Sequence, residues 1–216
     1  IGGGSTELVW IDVSHIPRKD RAQAIMQLHA GFHAHGTDVP AARVVDWISV
    51  PLGVATLRDQ FNDVEDDAAR FALMSWYFEE NLQDFTPYQS EQPQERFQIV
   101  GTSGTVTTVA ASHLGLKRYD RAKIDGLHMT SAQIDAVIRS YLAMGPHGRR
   151  AAPRLGTDRA ALITSGAAIL QTLMRCWPPA RLRASDRGPR EGLLYAQMTA
   201  RGALGETVGR PPRPRR

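Results

Sequence analysis

Two short turns constrain this chain more than anything else in it. Each sets glycines and hydroxyls beside a strand pattern: "IGGGSTELVWIDV" at residues 1–13 and "FQIVGTSGTVTTVA" at residues 97–110. Leu8 to Val13 is an apolar run with β-branched and aromatic members, and Phe97 to Val100 is a second such run. A strand that feeds a glycine turn and then a helix belongs to α/β folds, where such turns hold phosphates. Glycine suits that task because no Cβ blocks the approach of backbone N–H groups to an anion. In the first turn Gly2, Gly3 and Gly4 provide the backbone, Ser5 and Thr6 add hydroxyl donors, and Glu7 is placed to hold a Mg²⁺-bound water or to orient an attacking one. In the second, Gly101 and Gly104 flank Thr102 and Ser103, and Thr105 follows. Taken singly, each reads equally well as a glycine-rich hairpin or a hydroxyl-capped strand-to-helix turn. The first is not a Walker A loop, because no Gly-Lys-Ser/Thr follows. Taken together, they point to a site for more than one phosphate.

The rest of the chain reads as elements around those turns. From Arg18 to His35 the residues Ala22, Ile25, Met26, Leu28 and Phe32 recur at helical spacing. "VVDWISVPLGVATL" predicts a strand, a turn at Pro51 and Gly53, and a new element. The acids Asp63, Glu65, Asp66 and Asp67 precede Phe71, Met74, Phe78 and Leu82, the pattern of a helix whose first turn complements its dipole. Pro87 and Pro93 mark a polar loop. Thr130 or Ser131 caps a helix through Ile134, Val137, Ile138 and Leu142 that Gly145-Pro146 stops. "DRAALITSGAAILQTLMRCW" predicts a more apolar helix ended by Pro178-Pro179. "LRASDRGPREGLLYAQM" predicts a short strand, a turn at Gly188-Pro189 and a last helix. There is no internal repeat, and the order is a β-rich front half, one β-to-helix unit and a mostly helical back half.

With 216 residues the chain can bury a sizeable core without staples. The lone Cys176 precludes an internal disulfide, suits a reducing cytoplasm, and reads as a small buried apolar residue beside Trp177. No apolar run approaches the roughly 20 residues that span a bilayer, so no membrane partner is expected. The net charge is +4, but Arg201, Arg210, Arg213, Arg215 and Arg216 against Glu206 account for all of it, and residues 1–200 sum to zero. The ending "GRPPRPRR" reads as a disordered Pro/Arg tail over residues 201–216, the one place where nucleic acid could be touched. His29, His33 and His35 in "HAGFHAH" have an i, i+4 pair, but no acidic ligand lies near, and a polar helix end before Gly36 explains them better than a metal. Arg187 and Arg190 sit with Asp186 and Glu191 around a turn, and Arg154 and Arg159 sit near Asp158; internal pairing and capping explain both groups.

Five stretches then fall in a telling order: Ile1 to Glu7, Ser49 to Val54, Val100 to Thr105, Asp158 to Ala160 with Gly166 to Leu170, and Asp186 to Gly192. In that order they resemble the exopolyphosphatase / guanosine pentaphosphate phosphatase (Ppx/GppA) family of the actin, sugar-kinase and chaperone-ATPase superfamily, over residues 1 to about 198. Ala161 stands where the family often has an aspartate, Thr164-Ser165 where a proline is common, and Pro189 where an aliphatic residue is usual.

The resemblance implies an α/β, ribonuclease-H-like (actin-like ATPase) domain with a mixed sheet, flanking helices and a helical C-terminal part. Two such halves clamp phosphates between them. The first half carries its own glycine turn and the glutamate usually assigned as base. This chain then reads as the second half alone, over residues 1–200, with the first half as its missing partner. Carried over, Gly3, Gly4, Ser5 and Thr6 contact phosphate, Glu7 supports the metal or water with Mg²⁺ as cofactor, and Gly101 to Thr105 form the second glycine turn. The implied activity is hydrolysis of phosphoanhydrides in inorganic polyphosphate or guanosine pentaphosphate, in the cytoplasm of a bacterium, with the isolated half inactive. A phosphate-binding or self-association module without catalysis is the alternative, and an exposed cleft face would favour a homodimer. A long polyphosphate needs a basic channel and a nucleotide needs a base pocket; the zero sum over residues 1–200 does not choose between them.

Overall fold

The computed structural model describes residues 1–28, 42–85, 94–152, 155, 157–201 and 203. The histidine cluster at 29–35, the polar loop marked by Pro87 and Pro93, Arg154, and all of the Pro/Arg tail but Arg201 and Ala203 lie outside those residues. The chain forms two compact units, Ile1–Trp10 with Val45–Asp186, and Ile11–Val44 with Arg187–Arg216.

In the larger unit, strand β1 (Thr6–Asp12) begins directly after the first glycine turn. Its side chains alternate as a half-buried strand requires: Thr6, Leu8 and Trp10 turn inward, while Glu7 and Val9 face out. Among the described residues, α1 (Arg21–Gln27) is shorter than the periodicity from Arg18 to His35 suggested; it lies in the smaller unit. Strand β2 (Arg43–Val50) pairs with β1 in a two-stranded sheet. Helix α2 (Val54–Gln60) follows the Pro51–Gly53 turn. Helix α3 (Asp67–Glu80) starts where the acids predicted, with the Asp66 carboxylate accepting from the Ala69 N–H at 2.7 Å. The front half thus holds two strands and three helices among its described residues, and is less β-rich than its sequence suggested.

A three-stranded sheet carries the second glycine turn. Strand β3 (Gln94–Thr102) leads through the turn into α4 (Gly104–His113). The short α5 (Arg121–Ile124) precedes β4 (His128–Met129). Strand β5 (Pro179–Ser185) lies in the middle, parallel to β3 with Gly101 opposite Ala184 and Thr102 opposite Ser185, and antiparallel to β4. Helix α6 (Ser131–Ala151) opens on a reciprocal capping box: the Gln133 N–H reaches Thr130 Oγ1 at 3.3 Å, and the Thr130 N–H reaches Gln133 Oε1 at 2.9 Å. At Gly145 the backbone turns to φ 62°, and Pro146 starts a further helical stretch. Gly145-Pro146 therefore breaks the helix as predicted but does not end it, because proline is tolerated in the first turn of the segment it begins.

Helix α7 (Thr157–Cys176) is the core of this unit. Ile163 through Leu170 and Thr172 through Met174 are all buried, so the helix is covered on every side. Phe71, Met74 and Phe78 of α3 and Ile134 and Ile138 of α6 belong to the same core, each buried aliphatic or aromatic side chain being worth roughly 1.5–3 kcal/mol. Arg149 locks the end of α6 to the start of α3 with paired bonds to the two Asp67 carboxylate oxygens at 2.7 and 2.6 Å. Its guanidinium is buried and also donates to the Tyr141 carbonyl at 2.9 Å. Cys176 is half-buried against this core rather than fully enclosed.

The smaller unit has its own cluster of Ile16, Ala24 and Ala42. Its last helix, α8 (Pro189–Ala200), has Gly188 before it, Pro189 at its first position, and the Gly188 N–H donating to Glu191 Oε2 at 2.8 Å. The turn-and-cap reading of that stretch therefore holds for Glu191. No described helix is long and apolar enough to cross a membrane.

Candidate phosphate site

The first glycine turn is fastened through its carbonyls. Gly2 O accepts from the Val54 N–H at 2.9 Å, Gly3 O from the Ala55 N–H at 2.8 Å, and Gly4 O from the Thr56 hydroxyl at 3.3 Å. Within the turn the Gly2 N–H closes onto Ser5 O at 2.8 Å. The first turn of α2 thus spends its free donors on the glycine loop. Gly53 makes this possible: a Cβ there would stand 2.5 Å from Gly2 O and 2.6 Å from Gly3 O. The Ser49–Val54 stretch therefore holds the loop, a role its sequence did not disclose.

Gly3 and Gly4 are glycines for another reason. Both are exposed, neither has a positive φ, and a Cβ on either would meet nothing within 4 Å. Neither the backbone nor any neighbouring described group demands glycine there. What a Cβ would occupy is the open space in front of the turn, where an anion could meet the backbone. Ser5 turns its hydroxyl to Glu7, donating to Oε1 at 2.5 Å, and Glu7 lies exposed on the outer face of β1. Thr6 does not share that face. It is fully buried and its hydroxyl donates to Leu52 O at 2.8 Å, so it anchors the strand and its hydroxyl is not free for a phosphate. The alternation of β1 was the available signal, since Thr6 shares parity with Leu8 and Trp10.

The second turn divides the same way. Gly101 is structural, because a Cβ would press on Val106 Cγ2 at 2.9 Å. Thr102 is half-buried. Ser103 stands at φ 80°, ψ 176°, a region that essentially only glycine occupies without strain. Gly104 is exposed with open space where its Cβ would be. Thr105 is buried and packs on α7, so its hydroxyl, like that of Thr6, does not face the open side. The Thr107 hydroxyl backs the turn, donating to Ser103 O at 3.2 Å and Gly104 O at 3.3 Å.

Two consecutive residues of α7 join these turns. The Ser165 hydroxyl donates to Val54 O at 2.6 Å, at the start of the helix that grips the first loop. Gly166 lies against Thr105, at the start of the helix that follows the second, and a Cβ there would sit 2.8 Å from Thr105 Cγ2 and closer still to its hydroxyl. The sequence predicted only an apolar helix here; its packing is what links one glycine turn to the other. An isolated glycine within a helical pattern was the signal.

Asp186, expected to pair within its own turn, takes partners from an earlier segment: Arg121 Nε at 2.7 Å and the Tyr119 hydroxyl. Burial and this bond to Asp186 push the Tyr119 phenol up, and a bond with the Thr107 hydroxyl pulls it partly back. Arg159 stacks over the Tyr119 ring at 5.9 Å. Among the described residues no three His, Cys, Asp or Glu side chains gather as a metal cluster.

The larger unit is thus mixed α/β with two glycine–hydroxyl turns, each after or before a strand and both docked on one central helix, the arrangement of an actin-like ATPase fold. The chain belongs to the Ppx/GppA phosphatase family, whose model matches residues 1–201. Its fold is that of solved members. A crystal structure of the Aquifex aeolicus family member is 24% identical with a TM-score of 0.66, covering 93% of this chain and 55% of that one. The structure of an exopolyphosphatase-like protein is 22% identical with a TM-score of 0.66, covering 94% and 59%. That of an exopolyphosphatase from Cytophaga hutchinsonii is 18% identical with a TM-score of 0.64, covering 92% and 55%. The chain thus spans a little over half the length of these relatives. No curated protein matches it.

Proposed function

We propose that this chain is the second half of a phosphoanhydride hydrolase, acting on a terminal phosphoryl group of inorganic polyphosphate or guanosine pentaphosphate. The observation that carries the reading is the open approach at Gly3, Gly4 and Gly104, glycines that nothing else among the described residues requires. Family membership and the similarity to an exopolyphosphatase support the substrate class.

In this reading the backbone of the two turns holds the phosphates, and the amides take up charge that develops on the phosphoryl oxygens as water attacks in line. Glu7 orients that water, with Ser5 fixing one carboxylate oxygen so that the other faces it, and the first half's glutamate takes its proton. Mg²⁺ suits this donor set, because it binds through one or two carboxylates together with substrate phosphates and waters, and Glu7 is the one carboxylate of the two turns. The ion would be held by Glu7 through water and would supply further neutralisation of phosphate charge. The first half supplies the remaining phosphate contacts and a second glutamate, so this chain alone is inactive.

Phosphate release from polyphosphate, guanosine pentaphosphate and ATP, compared between this chain and a polypeptide carrying both halves, tests the proposal. Release from one of the first two by the two-half polypeptide alone is expected. Turnover by the 216-residue chain at a comparable rate, or none by either, would overturn it.

A further inference from the structure

Helix α3 leaves one face without a partner among the described residues. Ala69, Ala72, Leu73 and Trp76 share an arc of about 100° of its surface. All four are exposed, Trp76 by 56% and Leu73 by 39%. A solvated helix face ordinarily carries charges, and the one charge within this arc is Glu80 at its C-terminal end. On the flank Tyr77 and Phe61 are half-buried and meet edge-on at 5.6 Å, which widens the apolar surface. Arg70 on that flank is half-buried too, its Nε turned to the Val64 carbonyl at 2.6 Å.

Acids bracket the stripe at both ends. Residues 59–84 hold eight Asp and Glu against Arg70 alone. Three of the eight are already matched, Asp59 by Arg58 at 2.6 Å, Asp67 by the buried Arg149, and Glu79 by Arg175. Asp63, Glu65 and Asp66 before the helix, and Glu80 and Asp84 at its far end, are exposed and have no basic partner among the described residues. From Asp66 to Glu80 the stripe runs about 21 Å at a rise of 1.5 Å per residue. Such a surface rejects a copy of itself, since two α3 stripes laid face to face set acid on acid in either direction.

The chain carries a segment of the opposite character. Arg210 to Arg216, "RPPRPRR", interleaves four arginines with three prolines and has no acid. Proline-rich segments dock on aromatic-lined surfaces at low entropic cost, because φ is fixed beforehand. Arginine adds stacking on an indole and paired bonds to carboxylates. Seven residues in the polyproline form span about 19 Å, close to the acid-to-acid length of the stripe.

We infer that Arg210–Arg216 of a second copy of this chain docks on α3, with its prolines on Leu73 and Trp76 and its arginines on the acids at either end. The contact needs neither the glycine turns nor their phosphates.

Sedimentation velocity of the 216-residue chain, from micromolar to millimolar concentration and across a salt series, tests it. The unaltered chain is compared with a face variant, Leu73→Ser/Trp76→Ser, and with a tail variant in which Arg210, Arg213, Arg215 and Arg216 become Gln. The unaltered chain should associate, and less so as salt screens the exposed charges. Each variant should weaken association at least about tenfold, ~1.4 kcal/mol, with the urea midpoint unchanged. An equimolar mixture of the two variants should recover a dimer, because one brings the segment and the other the face. A monomer throughout the series, association that survives either variant, or a mixture that stays monomeric would overturn the contact. Association that appears only when RNA or polyphosphate is added would assign the arginines to a polyanion and overturn it as well.

Discussion

The Ser165 hydroxyl lies 2.6 Å from the Val54 carbonyl, 111 residues away in sequence, and this bond ties the central helix to the helix that grips the first glycine turn. The next residue, Gly166, touches Thr105 behind the second turn. Two neighbouring positions of α7 therefore fix the pair of glycine turns.

Gly166→Ala should separate them. Alanine favours a helix interior over glycine by about 1 kcal/mol, but the new methyl would overlap Thr105, and overpacking of this kind costs about 1–3 kcal/mol. A net loss of stability in urea unfolding is expected, with weaker tripolyphosphate binding; a more stable protein would mean that α4 and α7 part without effort.

The first turn should distinguish two kinds of glycine. Gly53→Ala should lower both stability and anion binding, because its methyl would enter the Gly2–Gly3 backbone. Gly4→Ala should leave stability equal or raise it by about 0.4–1 kcal/mol through the unfolded state, yet weaken tripolyphosphate binding about tenfold, or ~1.4 kcal/mol. Parallel unfolding and calorimetric titration of the two variants checks this. Undiminished binding in Gly4→Ala would remove the steric argument for a phosphate there.

Ser103 holds a backbone conformation that costs of order 1–3 kcal/mol for a residue with a Cβ. Ser103→Gly should relieve it and stabilise the protein by about 1 kcal/mol after the entropic cost of glycine, roughly 0.5–1 kcal/mol, is met. A lower unfolding midpoint would show that the serine side chain contributes more than its backbone costs.

Burial pushes the Tyr141 phenol up from 10.0 to about 12, against an opposing hydrogen bond with Ser112, and pushes the Cys176 thiol up from 9.0 to about 11, with Glu79 adding to it. Both groups are raised, so each contributes stability that is complete below its unfolded value and is lost as pH climbs through the folded one. Stability should decline from pH 9.0 upward through Cys176 and more steeply between pH 10.0 and about 12 through Tyr141. Tyr141→Phe should flatten the upper part of that decline in urea midpoints measured across the range. The same shift keeps Cys176 a thiol near neutrality, so alkylation by iodoacetamide should be slow there.

How much of this could be read from the chain follows from the range of each interaction. The Thr130 cap, the acids before α3 and the strand–glycine–helix order of β3 and α4 rest on neighbours within a few residues, and the structure places all of them where the sequence did. The glycine turns were legible as a pattern, but their division of labour was not. Gly53 and Gly101 are needed for contacts inside the fold, whereas Gly3, Gly4 and Gly104 leave space open, and only three-dimensional packing separates the two groups. Thr6 and Thr105 look like phosphate donors beside Ser5 and Ser103, yet one obeys the inward parity of β1 and the other is buried under α7. Asp186 meets Arg121 because the antiparallel β4–β5 pairing, extended by the Gly126 N–H to Ala184 O bond, brings a segment 65 residues away to its side.

The central claim is that these two turns hold a phosphoanhydride for attack by a water that Glu7 orients. Glu7→Gln in a polypeptide carrying both halves tests it most directly, with phosphate release and polyphosphate binding measured on the same preparation. The carboxamide keeps the size of the side chain but loses its charge and one acceptor oxygen, so release should fall by at least about 10²-fold while binding stays within a few-fold. Release that persists at the original rate, or binding and release lost together, would contradict the role given to Glu7.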